Sequence, residues 1–235
     1  MIDIHSHILP ALDDGSKSIE ESLAMLKIAQ AEGITTMIAT PHNMPGKGCP
    51  TRDRIERRVK ALKEAAADEH IEMDIRIGTE YFYREDILEW LEDDTVITMD
   101  GTGCVLVEFD PSVGRTYVKN AVREILAQDY RPVIAHVERY PALLKNKMET
   151  VKELRDMGAL IQVNCSSLMG KMGFKTKLDT RSLLNQGLID LLGTDAHSAN
   201  HRAPRMEECA KYIQKKCDSA YAERLMNATA LYEGK

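Results

Sequence analysis

The sequence predicts an α/β fold in which parallel strands alternate with helices, and a (β/α) barrel of seven or eight strands fits it best. Seven short apolar runs alternate with amphipathic stretches along the 235 residues, as repeated βαβ units do. Several of the runs are apolar almost throughout, which is typical of strands buried on both faces. An open, doubly wound sheet is the alternative. Because no repeat or long linker interrupts the pattern, a single domain over residues 1–235 is expected.

Each element follows from the local pattern. The first helix is the clearest, because Ser18 and Glu21 form a capping box and Gly33 ends the segment. The predicted strands are residues 2–5, 34–40, 74–80, 104–109, 132–136, 160–164 and 188–194. The other predicted helices are residues 52–68, 84–91, 115–128, 148–157, 179–186, 204–216 and 219–231. Residues 43–50 and 166–177 are predicted to be long, mobile loops.

The composition argues against several classes of protein. A net charge of −6 disfavours a broad nucleic-acid-binding surface, which is usually basic. Asp3 and two histidines interrupt the start of the chain, so no signal peptide is predicted. No apolar run approaches the roughly 20 residues that a membrane-spanning helix needs. A cytoplasmic protein without membrane insertion is therefore expected.

The cysteines predict neither a disulfide framework nor a thiolate metal site. The five cysteines are irregularly spaced and include no Cys-x-x-Cys pair, so reduced and mostly buried thiols are expected. Cysteine-dependent phosphatases carry an arginine six positions after the nucleophile, and no cysteine here has one. That chemistry is therefore disfavoured.

The strongest functional signal is a set of polar residues at the ends of the predicted strands. His5 and His7 stand two residues apart, so both rings can point to one side of an extended chain. Asp195 and His197 repeat this spacing after the last strand. The residues that end or follow the strands between them are His42, Glu80, Glu108, His136 and Asn164. In a parallel barrel all these ends lie on the face that carries the active site.

Imidazole and carboxylate groups without thiolates suit zinc, manganese or iron. The candidates exceed the needs of one ion, so a cluster of two or three metals is predicted. Each residue taken singly has a structural alternative. A lone histidine at a strand end, such as His42 or His136, is more often a hydrogen-bonded structural residue, and Glu108 alone could be an ion-pair partner. The joint pattern is what favours metal binding.

These residues resemble the PHP (polymerase and histidinol phosphatase) superfamily over essentially the whole chain. The matching motifs, in order, are Ile-Asp-Ile-His-Ser-His at 2–7, Thr-Pro-His at 40–42, Glu80, Ala-His at 135–136 and Asp-Ala-His at 195–197. Four segments narrow the resemblance to the bacterial tyrosine-protein phosphatases of capsule and exopolysaccharide gene clusters (the CpsB/YwqE type). They are Asp-Asp-Gly at 13–15, Thr-Glu-Tyr at 79–81, Ile-Ala-His-Val-Glu-Arg-Tyr at 134–140 and Asp-Ala-His at 195–197 followed by Arg-Ala-Pro at 202–204.

The resemblance implies a distorted TIM-like (β/α)7 barrel, the PHP fold, with three divalent metal ions, usually manganese; zinc or iron would use the same ligands. The first metal would take His5, His7, Glu80 and Asp195, the second Glu80, Glu108 and His136, and the third Asp14, His42 and His197. Asp13 is the alternative to Asp14, because Asp-Asp-Gly is also a common turn. Arg139 and Arg202 would bind the phosphate through their guanidinium forks. Arg205 is the alternative to Arg202.

The function implied is hydrolysis of phosphotyrosine on a protein by a hydroxide activated between two metals. A metal-bound water, His42 or His197 would protonate the leaving phenolate. The expected partner is the Tyr-rich tail of the cognate bacterial tyrosine kinase. A small-molecule phosphatase of the same superfamily, such as a histidinol phosphatase, is the main alternative. A nuclease is disfavoured by the acidic balance, and a non-catalytic module by the repulsion that unused, clustered carboxylates would suffer. The oligomeric state is left open.

Overall fold

Parallel strands alternate with helices along the chain. The structure is a computed structural model that describes residues 1–84, 86–93 and 95–233. Its strands are β1 (Ile2–Ser6), β2 (Thr36–Ala39), β3 (His42–Asn43), β4 (Asp74–Ile77), β5 (Glu80–Phe82), β6 (Cys104–Glu108), β7 (Arg131–Ile134), β8 (Leu160–Asn164) and β9 (Leu191–Gly193). Its α-helices are α1 (Ile19–Ala31), α2 (Arg52–Asp68), α3 (Ile87–Glu92), α4 (Arg115–Ala127), α5 (Lys145–Asp156), α6 (Cys165–Leu168), α7 (Phe174–Asn185), α8 (Glu207–Lys216), α9 (Ser219–Met226) and α10 (Thr229–Tyr232).

The strands form one curled, parallel arrangement. Their order is β1-β2-β4 in one sheet and β3-β5-β6-β7-β8-β9 in the other, and every pair is parallel. The chain after β9 returns to β1, where the Asp195 N–H donates to the His5 carbonyl and the His7 N–H donates to the Ala196 carbonyl, both at 2.8 Å. Since β2 and β3, and likewise β4 and β5, follow one another along one strand path, the sheet has seven strand positions. The predicted distorted (β/α)7 barrel is confirmed.

The predicted strand over residues 74–80 is interrupted at Gly78 and Thr79, and a short strand that was not predicted, β3, follows Pro41. Proline has no N–H to donate, so the ladder of β2 cannot continue through it. The path resumes at His42, whose N–H donates to Asp13 Oδ2 at 2.9 Å. The Pro41 carbonyl still accepts from the Glu80 N–H at 3.1 Å, so the break keeps β3 beside β5. The interruption therefore places His42 opposite Glu80 in the register of these two strands.

The prediction of a long loop over residues 166–177 is wrong. Helix α6 and the start of α7 occupy most of it, and Gly173, at a φ of 102°, makes the turn into α7. Gly170 and Gly173 suggest a loop in sequence, but Leu168 is fully buried and ties the segment to the core. The predicted helix over residues 219–231 is split at Ala228, which has a φ of 49°. Glu85, within the predicted helix 84–91, lies outside the described residues, as do the last two residues of the predicted domain.

The apolar core lies on both faces of the sheet, and β6 shows the division. Val105 and Val107 pack into the larger cluster with the helices, whereas Leu106 packs into a smaller cluster that includes Leu231 of α10. Alternate residues of a strand face opposite ways, so the smaller cluster lies inside the curl. Glu108, two residues after Leu106, continues the inner face at the carboxyl end of the strand. The inner apolar cluster thus lies inside the curled sheet, next to the polar residues at the carboxyl ends of the strands.

Two further expectations concern membranes and thiols. None of the helices in the described ranges is long and apolar enough to cross a membrane. None of the five cysteines forms a disulfide, and Cys104, Cys165 and Cys209 are buried. The burial of these three agrees with the expectation that most of the thiols are buried, and their reduced state stays a prediction.

Candidate metal centre

The polar strand ends converge at one end of the curled sheet. The nine predicted ligands lie at the end of β1 (His5, His7), in the loop after it (Asp14), on β3 (His42), on β5 (Glu80), at the end of β6 (Glu108) and after β7 (His136) and β9 (Asp195, His197). Eight are buried, and Asp14 has a side chain that is 42% exposed. Of the other two histidines, His70 is exposed in the turn just after α2, and His201 lies in the loop beyond His197.

Glu80 stands at the centre of the cluster. Its Oε2 lies 3.1 Å from His5 Nε2 and 3.2 Å from His7 Nε2. The Oδ1 atom of Asp195 lies 3.7 and 3.5 Å from the same two nitrogens. Ligand atoms that share one ion at ~2.1 Å stand roughly 3.0–3.4 Å from one another. The residues predicted for the first metal therefore present their donor atoms at close to the spacing that one ion requires.

The other carboxylate oxygen of Glu80 faces the residues predicted for the second metal. Glu80 Oε1 lies 2.9 Å from His136 Nε2, and Glu108 Oε2 lies 3.7 Å from the same nitrogen. One carboxylate that presents a different oxygen to each of two donor sets is suited to bridge two ions.

His42 takes part in two sets of donors rather than in the single set predicted for it. Its Nε2 lies 3.4 Å from Asp14 Oδ1, and His197 Nε2 lies 3.4 Å from the same oxygen. Its Nδ1 lies 3.1 Å from Glu80 Oε2 and 3.3 Å from Glu108 Oε1. The predicted third set thus comes together, and His42 links it to the carboxylates of the second.

Four buried atoms of this cluster that could bind a metal have no hydrogen-bond partner in the part of the chain that the structure describes. His42 Nδ1, Glu80 Oε2, Glu108 Oε1 and His197 Nε2 are all buried and have no hydrogen-bond partner among the described residues. A buried polar atom without a partner costs about 1–3 kcal/mol. Lone pairs of imidazole and carboxylate groups that converge on shared space are the ligand set of a divalent cation. The residues present therefore fit a metal cluster.

The close packing of carboxylates and imidazoles shifts the pKa values of several residues in the cluster. Burial alone would raise the pKa of Glu80, but His5, His136 and His42 outweigh it and hold that pKa well below its usual value. Burial alone would lower the pKa of His42, but Glu108 and Glu80 outweigh it and raise that pKa to about 9. His197 behaves oppositely, because burial and the neighbouring His7 lower its pKa to about 3. The Glu80 carboxylate is thus ionised at neutral pH, as a metal ligand must be.

Two of the ligands occupy strained backbone conformations. His136 has a φ of 31° and Asp195 has a φ of 53°, both in the left-handed region that non-glycine residues seldom adopt. Such a conformation costs of order 1–3 kcal/mol and persists where the surroundings fix it. His136 comes two residues after the end of β7, and Asp195 comes two residues after the end of β9.

Asp13 holds His7 in place from the side away from the cluster. His7 Nδ1 donates to Asp13 Oδ2 at 2.7 Å. In the neutral ring its Nε2 then carries no proton, and its lone pair is directed toward Glu80 and Asp195. Asp13 is fixed in turn by the Gly15 N–H at 2.9 Å. A carboxylate behind a ligating histidine is a common feature of metal sites. Of the two alternatives left open in the Asp-Asp-Gly turn, Asp14 faces the donor cluster and Asp13 orients His7.

Gln162 on β8 plays the same part for His5 and was missed in the sequence. Its Oε1 accepts from His5 Nδ1 at 3.3 Å and from the His136 N–H at 2.6 Å. Its Nε2 donates to Asn164 Oδ1 at 2.8 Å, and Asn164 Nδ2 donates to Asp195 Oδ2 at 2.9 Å. Two amides two residues apart within an otherwise apolar strand were the available signal. Lys47, in the predicted loop 43–50, was also missed, and its Nζ lies 3.4 Å from Asp14 Oδ2.

Replacing Gln162 with Leu is expected to weaken metal binding about 10- to 100-fold, the usual cost of losing an outer partner of a ligand. The reason is that His5 Nδ1 and the buried His136 N–H would lose their acceptor. Gln162→Glu keeps that acceptor and is expected to bind metal more tightly than Gln162→Leu. Calorimetric titration of the metal-free proteins with Mn²⁺ measures both. Equal affinities for Gln162→Leu and the unaltered chain would show that Gln162 does not orient the ligands.

Two arginines meet at the open side of the cluster. Arg139, at the end of a short 3-10 helix (Val137–Arg139), and Arg202, in the loop after β9, both donate to Asp195 Oδ2, Arg202 at 2.6 Å. Their side chains are 34% and 43% exposed, so they reach both the cluster and the solvent. Arg205 instead pairs with Glu32 Oε1 at 3.1 Å, away from the cluster. The geometry thus favours Arg202 over Arg205 as the partner of Arg139.

The fold is shared with barrel hydrolases of low sequence identity. A structure of histidinol phosphate phosphatase from Lactococcus lactis superposes with a TM-score of 0.58 at 16% identity, covering 92% of each chain. A phosphotriesterase homology protein from Escherichia coli superposes with a TM-score of 0.61 at 11% identity, covering 98% of this chain and 97% of that one. These likenesses concern the fold alone and define the class of barrel.

A narrower relationship covers nearly the whole chain. The sequence model described as "Capsular polysaccharide synthesis, CpsB/CapC" matches residues 1–232, so the chain belongs to the CpsB/CapC family. The tyrosine-protein phosphatase CpsB of Streptococcus pneumoniae is 33% identical over 230 residues, 96% of this chain and 94% of that protein. The tyrosine-protein phosphatase YwqE of Bacillus subtilis is 29% identical over 219 residues, 93% of this chain and 86% of that protein.

A solved structure agrees with this assignment. The crystal structure reported for YwqE from Bacillus subtilis and CpsB from Streptococcus pneumoniae, unique metal-dependent tyrosine phosphatases, superposes with a TM-score of 0.90. The sequences are 29% identical, and the match covers 99% of this chain and 94% of that one.

Proposed function

We propose that this protein is a metal-dependent phosphatase that hydrolyses phosphotyrosine on a protein substrate. The observation that carries the proposal is that a cluster suited to metal ions and a pair of arginines suited to phosphate lie side by side. A cluster of imidazoles and carboxylates with unsatisfied buried donor atoms lies directly beside two arginines that share Asp195. Membership of the CpsB/CapC family, with relatives that are tyrosine-protein phosphatases, supports the reaction type.

Three divalent ions, proposed to be manganese, would be held by His5, His7, Asp14, His42, Glu80, Glu108, His136, Asp195 and His197. Zinc and iron are the alternatives, because they take the same ligands. Bound ions would supply Lewis acidity toward the phosphate and lower the pKa of a water molecule near them. The chain's part is to hold its donor atoms fixed, and Asp13 and Gln162 do so by fixing the tautomers of His7 and His5.

Arg139 and Arg202 are proposed to bind the phosphate. A guanidinium fork matches two phosphate oxygens, and two forks side by side can neutralise the charge that builds on the phosphorus oxygens. Asp195 keeps the two side chains together at the mouth of the cluster. Because a phenolate has a pKa near 10, it leaves with less help from an acid than an alkoxide does. His42 and His197 are the proposed alternatives for the residue that gives it a proton, and His42 is better suited, because its pKa is raised to about 9 whereas that of His197 is lowered to about 3.

The proposed physiological substrate is the tail of the cognate bacterial tyrosine kinase of the same polysaccharide pathway. A cytoplasmic location stays a prediction from the sequence.

Removal of metal is expected to abolish activity, and the test compares two substrates. Protein stripped with a chelator should lose hydrolysis of a phosphotyrosyl peptide and regain it with Mn²⁺, because the arginines alone provide no nucleophile. Metal analysis of the reloaded protein should give close to three ions per chain. Full activity of the stripped protein would overturn the proposal.

Histidinol phosphate provides the comparison substrate. A strong preference for histidinol phosphate over the phosphotyrosyl peptide would replace this proposal with the small-molecule alternative. The metal content separates the two parts of the proposal, because it reports on the cluster whichever substrate is preferred.

A further inference from the structure

A large cavity opens beside the two arginines and is lined by both of them. It has a volume of about 660 Å³, within the usual range for ligand sites. Its walls come from the α6–α7 region and from the loop that joins β9 to α8. Of the nine proposed metal ligands only Asp195 lines it. The cavity is therefore continuous with the proposed phosphate site and meets the metal cluster at Asp195.

The rim of the cavity carries positive charge. Arg139, Arg202 and Lys171 line it, and so does Arg205, which is paired with Glu32. The Lys171 side chain is exposed, and among the described residues it has no ion-pair partner within 4.0 Å. Glu208 is the one lining carboxylate besides Asp195 among those residues. On a chain with a net charge of −6, an unpaired cation next to two arginines favours an anionic ligand.

The same cavity has an apolar side. Met169 and Met172 line it, and Met172 is 56% exposed. Phe174 and Leu178, one turn apart at the start of α7, follow Met172 in the chain and are 76% and 52% exposed. Methionine side chains adapt to ligands of varied shape, and exposed apolar patches mark binding surfaces.

We propose that this cavity binds the polypeptide on one side of the phosphotyrosine, and that it selects substrates with an acidic residue followed or preceded by an apolar one. The inference rests on the proposed function, because it takes the phosphate to sit on Arg139 and Arg202. From that position a peptide that leaves through the cavity must pass Lys171 and Met172. The carboxylate would pair with Lys171, and the apolar side chain would pack on the methionines.

The test measures kcat/KM for a peptide with phosphotyrosine between glutamates, divided by kcat/KM for para-nitrophenyl phosphate, which has no flanking residues. Lys171→Glu is expected to lower this ratio about fivefold or more through KM, since attraction becomes repulsion. Lys175→Glu makes the same charge change four residues away, outside the cavity lining, and is expected to leave the ratio within about twofold. An equal fall in both variants would overturn the inference, because it would show only a long-range charge effect.

A peptide with lysines in place of the glutamates completes the design. Lys171→Glu is expected to prefer the lysine peptide, which a merely structural role of Lys171 would not produce. Direct affinities come from the same two peptides with a non-hydrolysable phosphonate in place of the phosphate. If Lys171→Glu changes kcat/KM for the glutamate peptide and for the lysine peptide by the same factor, the cavity does not bind the flanking residues. If the unaltered, metal-loaded protein hydrolyses neither peptide nor para-nitrophenyl phosphate, the proposed function itself fails, and the inference fails with it.

Discussion

Replacing Glu80 with Gln is expected to abolish metal-dependent phosphatase activity, with a loss of about 10³-fold or more. The two oxygens of this fully buried carboxylate lie within 3.2 Å of four imidazoles, those of His5, His7, His42 and His136. The amide removes the negative charge and turns one acceptor into a donor that faces a ring nitrogen. A bound metal supplies several kcal/mol of stabilisation, and about 1.4 kcal/mol corresponds to a factor of ten in rate.

Metal content is the measurement that makes this prediction specific. Glu80→Gln should retain a native circular dichroism spectrum but bind fewer ions per chain than the unaltered protein. Asp190→Asn is the matched control, because Asp190 is also largely buried but binds Arg155 at 2.8 Å and the Ile161 N–H at 3.0 Å, far from the cluster. It should lower stability and leave the metal content unchanged. Full metal content and activity in Glu80→Gln would show that Glu80 is not a ligand.

The second large effect is expected from Arg202→Ala. We expect kcat/KM for para-nitrophenyl phosphate to fall about 10²-fold, the usual consequence of losing one donor to the charge that develops in the transition state. Asp195 would keep Arg139 and Asn164 as partners, so the change should not unfold the site. Arg139→Ala is expected to act in the same direction.

Arg205 offers a control within the same segment. Its side chain is 70% exposed and pairs with Glu32, so Arg205→Ala removes an equal charge three residues away without touching Asp195. It should change kcat/KM by no more than about twofold, as exposed ion pairs contribute little. Similar losses in Arg202→Ala and Arg205→Ala would mean that the positive charge of the loop matters rather than a contact with phosphate.

Much of the fold was predictable because its signals are local. The helix over residues 52–68 has the predicted bounds, since its cap and its apolar spacing lie within the segment itself. The break at Gly78 within the strand predicted over residues 74–80 was missed, and so was the short strand β3 after Pro41, because β3 forms by pairing with β5, far away in the chain. The loop predicted over residues 166–177 was wrong for a related reason. Its glycines suggest a loop, but the burial of Leu168, which makes α6 a helix, depends on elements far away in the chain.

The sequence by itself determined which residue types stand at the strand ends, and in what order, because strand periodicity and the short turns after each strand are encoded in neighbouring residues. Only the tertiary structure decided how those residues meet. It placed Asp14 toward the cluster and Asp13 behind His7, gave His42 a contact on each nitrogen, selected Arg202 over Arg205 and brought Gln162 against His5 across 157 positions. These outcomes depend on how far the sheet curls before β9 meets β1. That curl is set by packing over the whole chain, so no single segment contains it.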